Sequence, residues 1–220
     1  MLWPLYACVL FILNACASPE APNTTLTTYE IGGRDEIRSK GIPVRYPVYR
    51  VKAPLYWEIE RPSSGESIAD STKPLVEFAI EEDGEAVRIA IHNFPSEIID
   101  QRIPPSAQIA RWKRQFDAID PASVHTEPQA FGGFTGLFFQ ASGTFHGQET
   151  AMLCWAMQLP AVQYRNLLLP GTPEELRFFK QMRADYTIKV TGPVYLVEKH
   201  KEAIIAFARS FELIQEIPLK

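Results

Sequence analysis

Val76-Glu77-Phe78-Ala79-Ile80-Glu81-Glu82-Asp83-Gly84-Glu85-Ala86-Val87-Arg88-Ile89-Ala90-Ile91-His92 is the stretch that decides the fold of this chain. Val76, Phe78 and Ile80 alternate with Glu77 and Ala79, and Val87, Ile89 and Ile91 alternate with Arg88, Ala90 and His92. Successive strand side chains point to opposite faces, so each run buries one face and leaves the other polar. Asp83-Gly84 supplies turn chemistry between them, which makes the whole a β-hairpin. Glu81 and Glu82 are read into the turn, which predicts a connection longer than two residues.

Working outward, Pro104-Pro105-Ser106 marks a helix start. Ile109, Trp112, Phe116 and Ile119 then follow at helical spacing up to Pro121, which predicts one amphipathic helix. Residues 131–141 and 150–159 read as two strands of a second hairpin, turning at Ser142-Gly143 or Gly147. The glycines at 132, 133 and 136 suit a bulged or closely packed strand rather than a phosphate cradle. After a Pro- and Gly-flanked insert at 160–172, Pro173-Glu174-Glu175-Leu176 opens a second helix, with acids in its first turn, running to about residue 184. Residues 186–190 read as the last strand. Residues 194–213 read as a closing helix with an apolar stripe of Val197, Ile204, Ala208 and Phe211. Upstream, 48–52 and 55–59 are short strands around Pro54, and 60–73 is polar and turn-rich.

The order hairpin, helix, hairpin, helix, strand, helix predicts an α+β fold: a mainly antiparallel sheet covered by amphipathic helices. The early strands, the helix Ile109-Ala110-Arg111-Trp112-Lys113-Arg114-Gln115-Phe116, and the ending Tyr186-Thr187-Ile188-Lys189-Val190-Thr191-Gly192-Pro193 into a helix with Phe207-Ala208-Arg209-Ser210-Phe211 resemble the Mog1/PsbP-type fold. The likeness extends to bacterial lipoproteins of that type with a W-R-x-Q-like helix core, and spans about residues 45–216. It implies an α/β/α sandwich serving as a binding or assembly module. No functional residue carries over from it.

The N terminus decides placement. Residues 2–13 are apolar, long enough for a signal h-region and short of a spanning helix. Leu13-Asn14-Ala15-Cys16 follows and resembles a lipobox, which makes Cys16 the lipidated first residue of the mature protein. An ordinary secretory cut around Ala15-Cys16-Ala17 is the alternative. The reading divides the chain into a signal peptide (1–15), a lipidated cysteine with a flexible Pro- and Thr-rich tether (16–44), and one globular domain (45–220). Residues 17–28 alone could reach ~40 Å. A membrane through the N-terminal lipid is the first predicted partner. In a cell with two membranes, Ala17 after the cysteine implies the periplasmic face of the outer membrane.

Composition is that of a globular domain, with 46% hydrophobic and 22% charged residues. A net charge of −4 without a basic run points away from nucleic acid. Of three cysteines, Cys8 lies in the signal and Cys16 is taken by lipid, which leaves Cys154 in the apolar run 151–157, read as a buried small hydrophobe. The usual nucleophile, zinc and phosphate motifs are absent. His92, His125, His146 and His200 have no ligand spacing, so no metal and no cofactor is called for. The candidate ligand or partner surface is Trp57, Trp112, Arg111 and Arg114: indoles for a groove, guanidinium groups for anionic head groups. Burial of the indoles in the core and a solvated helix face are the plainer alternatives. The expected function is a lipid-anchored envelope protein that binds an envelope partner or aids assembly without catalysis. A lipoprotein with an apolar small-molecule or lipid pocket, and a hydrolase with a dispersed site, are the alternatives.

Overall fold

The computed structural model describes residues 25–34, 37–39, 42–63, 68, 70–96, 98–165 and 172–215. The signal and lipobox lie outside them. The elements run β1 (Leu26–Gly32), β2 (Ile37–Ser39), β3 (Ile42–Val44), β4 (Pro47–Pro54), β5 (Glu58–Glu60), β6 (Val76–Glu82), β7 (Glu85–Phe94), α1 (Pro105–Lys113), β8 (Ala118–Ile119), β9 (His125–Phe131), β10 (Phe134–Phe145), β11 (Gln148–Gln158), α2 (Ala161–Arg165), α3 (Pro173–Met182), β12 (Asp185–Pro193), α4 (Val194–Arg209) and β13 (Glu212–Leu213). An antiparallel sheet of order β5-β6-β7-β12-β11-β10-β8, with β9 also on β10, forms the centre. A second antiparallel sheet, β1-β4-β13, lies in the layer of α4, and β2 pairs with β3. The fold is α+β, with helices on both faces of an antiparallel sheet.

β12 enters between the two hairpins, pairing with β7 on one side and β11 on the other. One sheet face carries Phe78, Ile89, Ile188 and Trp155 against α4 and the small sheet, where Tyr49, Val51, Phe207 and Phe211 complete the larger core. The opposite face buries Phe139, Ala141, Met152 and Cys154 under Ile109 and Trp112 of α1. Because β11 is covered on both faces, its sequence is one apolar run rather than an alternation.

Three hairpins close on two-residue turns in which both residues have positive φ: Asp83-Gly84 (52° and 81°), Gly132-Gly133 (58° and 80°) and His146-Gly147 (51° and 77°). That is the type I′ requirement, whose twist matches the flanking strands. The longer first turn predicted from Glu81 and Glu82 is therefore corrected, since Glu82 pairs with Glu85 inside the ladder. Gly132 is also a close approach: a Cβ there would stand 2.2 Å from the Phe211 carbonyl oxygen.

Three other expectations change. The tether at 16–44 is not all tether, because β1 pairs with β4 from Leu26↔Pro54 onward and buries Ile31. The domain thus includes residues upstream of 45. The helix through Ile119 stops at Lys113, and residues 118–119 instead pair with Gly143 and Thr144. The closing helix stops at Arg209, where Ser210 Oγ donates to the Phe207 carbonyl at 2.7 Å and accepts from Lys52 N at 2.8 Å. In both cases an available strand edge captures the chain that helical periodicity would have continued.

Candidate functional site

α1 packs Ile109 and Trp112 down onto β10 and β11, which turns Arg111, Lys113 and Arg114 outward. Lys113 lies over the Phe139 ring, its Nζ 5.8 Å from the centroid. No ion pair of Arg111 or Arg114 is found among the described residues. Cations in a last helical turn complement the helix dipole, which is the purely structural reason for them. Beside α1 the half-sheet β6-β7-β12 presents Glu77, Arg88, His92 and Lys189 on its polar side. Lys189 Nζ donates to Gln115 Oε1 at 2.7 Å, tying β12 to the chain just after α1. Burial pulls the Lys189 ammonium below its usual range, partly opposed by the Cys154 side chain beside it.

His92 sits in the same group. Burial, reinforced by the charges of Arg34, Arg111 and Lys189, depresses it to about 4, although its hydrogen bond to the Thr72 carbonyl (3.2 Å) works the other way. The unfolded chain takes up this proton near pH 6.5 and the folded chain only near 4. Between those values the unfolded state binds more protons, so stability rises with pH, is fully present above about 6.5, and is lost as pH falls toward 4. Allowing for partial solvent contact, the swing is about 2 kcal/mol. Urea unfolding of the wild type and His92→Gln from pH 4 to 7 checks it: the variant should lack this part of the slope.

A second polar region was not anticipated from the sequence. Arg34, placed in the tether by the sequence reading, is 5% exposed. Its Nε donates to the Asn93 carbonyl at 3.0 Å, and its Nη1 donates to the carbonyls of Ile68, Asp70 and Lys73 at 2.8, 3.0 and 2.9 Å. Its backbone N–H donates to Gln181 Oε1 at 2.9 Å, and Asn93 Nδ2 donates to the Tyr49 hydroxyl at 3.3 Å. Arg102 and Asp185 form a buried forked pair nearby, held by Gln158 Nε2 on Asp185 Oδ2 at 2.9 Å and by Arg102 Nη2 on the Leu159 carbonyl at 2.8 Å. Arg34, Arg102, Lys180 and Gln181 line a solvent-open cleft of about 560 Å³. The only sequence signal for this region was the alternation of Thr27, Tyr29 and Ile31, which marks Arg34 as lying just past a strand.

Of the sequence-predicted site residues, Arg111 and Arg114 are brought together on one exposed helix face. Trp57 and Trp112 are 3% and 2% exposed, in separate cores on opposite faces of the sheet. They line no common groove and offer no surface, a correction that follows from their apolar neighbours on both sides. Cys16 lies outside the described residues. Cys154 is buried, and desolvation pushes its thiol up to about 12. His125 pairs with exposed Glu127 at 3.2 Å, and His200 with Glu82 at 3.2 Å in a group shared with Lys199. His146 is a turn residue. Among the described residues no group of His, Cys, Asp and Glu is arranged to hold a metal, and no helix is long and apolar enough to cross a membrane.

No protein-family model and no curated protein matches this sequence. Among solved structures the chain is similar to cyanobacterial PsbP from Synechocystis, with 12% identity, a TM-score of 0.47, and coverage of 91% of this chain and 98% of that one. It is also similar to LpqN of Mycobacterium tuberculosis, described as involved in cell envelope biogenesis, with 9% identity, a TM-score of 0.47, and coverage of 86% and 91%. A protein of unknown function from Pseudomonas aeruginosa follows at 9% identity and a TM-score of 0.42, with coverage of 85% and 99%. At these scores no residue of the site is assigned by the likeness.

Proposed function

We propose that this protein is a non-catalytic binding module of the cell envelope, held at a membrane through lipid on Cys16, whose α1 face engages an acidic partner protein. The observation that carries the reading is the pair Arg111 and Arg114, exposed and without ion pairs among the described residues, beside Lys189, on a molecule of net charge −4. A local cationic surface on an acidic protein favours a partner of opposite sign and repels further copies of itself. The state of the reactive groups supports the same reading. The Cys154 thiol is desolvated, His92 is held neutral, and the two His–carboxylate pairs lie on different elements without a shared cleft.

The apolar-pocket alternative has one uncharged but widely open depression for support, about 580 Å³ beside Pro105, Pro128 and Leu137. The 560 Å³ cleft is rimmed by Arg34, Arg102 and Lys180, and a larger one of about 790 Å³ by Arg45, Arg61 and Glu30 with Tyr29 and Leu75. The small space beside Asp185 measures about 10 Å³, too little for an organic ligand.

Crosslinking in cells followed by pull-down tests the reading. The wild type should recover an acidic envelope protein, and recovery should fall with added salt, since exposed charges are screened. Arg111→Glu/Arg114→Glu should abolish it while costing only about 1–2 kcal/mol of stability through the helix dipole, so that the variant stays folded and its melting curve remains cooperative. Recovery that survives the double charge reversal removes the α1 assignment. Fatty-acid labelling that persists in Cys16→Ser removes the anchor.

A further inference from the structure

The end of the small sheet nearest the N terminus is apolar where a loop tip is ordinarily polar. Beyond β4 the turn Pro54-Leu55-Tyr56-Trp57, closed by Trp57 N on the Pro54 carbonyl at 3.1 Å, carries Leu55 and Tyr56 at its two central positions. Gly, Asn, Asp, Ser and Pro are the residues such positions favour. Leu55 is 62% exposed and Tyr56 54%, and Leu26, opposite Pro54 in β1, is 58% exposed. Leu55 N donates to the Thr25 carbonyl at 3.0 Å, which fixes the three side chains to one corner. A lone exposed leucine needs no explanation, but three large apolar side chains at one sheet end do. The exposed charges flanking them, Lys52 and Glu58, are of opposite sign, so the corner is apolar without a net field.

The chain arrives from its N-terminal segment at this same corner. Residues 17–24 are all that separate Cys16 from Thr25, and such a segment spans at most ~30 Å. We propose that Leu26, Leu55 and Tyr56 are a membrane-interface footprint, entering the headgroup–acyl boundary of the bilayer to which Cys16 is attached. The inference rests on the lipid-anchor reading for its source of proximity. The chemistry of the three side chains matches that boundary. Two leucines supply apolar area, and the tyrosine ring places its body in the acyl region with its hydroxyl in the headgroups. The footprint would convert a loose leash into a defined orientation, with the strand ends of the small sheet against the membrane.

The test uses the full chain, purified from membranes of the expressing cell and reconstituted in vesicles of phosphatidylethanolamine and phosphatidylglycerol. Leu55→Cys carries an environment-sensitive fluorophore, with Tyr46→Cys and Ile103→Cys as comparison positions on other exposed apolar loops. Buried Cys154 should stay unlabelled, so a single label by mass in the lipidated protein reports an intact fold, and the measurements without lipid use Cys8→Ser/Cys16→Ser with Leu55→Cys so that the label stays on residue 55. The expected result is that the Leu55 label loses quenching by aqueous iodide and gains quenching by brominated lipid, unchanged by added salt, while the other two remain open to iodide. Full iodide quenching at Leu55 in protein whose mass shows lipid on Cys16 overturns the footprint and leaves the anchor standing. Protection at Leu55 in protein lacking that lipid supports the footprint and removes the anchor. Iodide quenching at Leu55 without lipid on Cys16 overturns both.

Discussion

Arg34→Ala should lower stability by about 4 kcal/mol, the range seen when a buried charged hydrogen-bonding group is removed and its partners are left dry. One guanidinium collects the carbonyls of Asn93, Ile68, Asp70 and Lys73, so its loss orphans acceptors on β7 and on the loop before β6 together. Among the described residues between β5 and β6, Ile68 and Leu75 are buried apolar anchors, and Arg34 donates to three of the segment's main-chain carbonyls. Burial lowers the pKa of Arg34 from its ordinary value, yet a guanidinium remains charged at any working pH. Arg34→Lys should recover less than half of the loss, because an ammonium donates from a single nitrogen and cannot serve both the Asn93 side and the loop side of the fork. Urea midpoints at constant m-value measure both variants. A loss below about 1 kcal/mol for the alanine variant would show that water replaces the guanidinium at these carbonyls. A sharp side consequence is that truncation up to residue 34 should unfold the domain, although much of that segment reads as tether.

Arg102→Met should cost about 3–5 kcal/mol, the penalty for stranding one member of a buried ion pair. Arg102 and Asp185 have side chains 7% and 8% exposed, and Gln158 completes the shell of the carboxylate. Burial pushes the Asp185 carboxyl up, and Arg102 pulls it back. Without Arg102 the upward push remains, opposed only by the weaker bonds from Gln158 and the Leu159 backbone. The sign then follows: the folded variant takes up a proton at higher pH than the unfolded chain, so its stability rises as pH falls through the native carboxyl pKa. A second change, Asp185→Leu in the Arg102→Met background, should restore most of the stability, since an apolar pair of similar volume removes both desolvation costs. Thermal or urea unfolding of the four proteins of the cycle measures the coupling. Additive losses in the double variant would show that the two side chains act independently.

These two sites bear on how far the sequence can be read. The β6–β7 hairpin was legible because alternation with one polar face needs only local pattern, and α3 because Pro173 followed by acids marks a helix start; the Thr172–Glu175 capping box that completes it is a finding of the structure. β9 was missed. It is polar and contains Pro128, which a strand tolerates only at an edge, and edge position is a property of the assembled sheet. β1 was passed over because Thr27, Tyr29 and Ile31 alternate inside a Thr-rich stretch whose composition reads as linker. α1 was overextended because Phe116 keeps helical spacing and is buried in the right core, although the backbone carrying it has already turned toward β8. In the candidate site, Arg111 and Arg114 were legible as a basic helix face. The tryptophans read more plainly as core than as groove, and both are buried; which face of the sheet each one lies on was not legible, because only their neighbours decide that.

By itself the sequence determined the class of the fold, the strands of the β6–β7 hairpin, the pairing of two strands near 131–141 and 150–159, and the starts of α1 and α3. All of these depend on residues near one another along the chain. Only the tertiary structure decided that β12 lies between the hairpins, that Trp57 and Trp112 are on opposite faces, that Arg34 closes a loop far from it in sequence, and that Leu26 meets Leu55 and Tyr56 at one corner. The physical reason is common to them. Each depends on which edge, face or carbonyl is left unsatisfied once the other elements have paired, and that is a property of the assembled molecule.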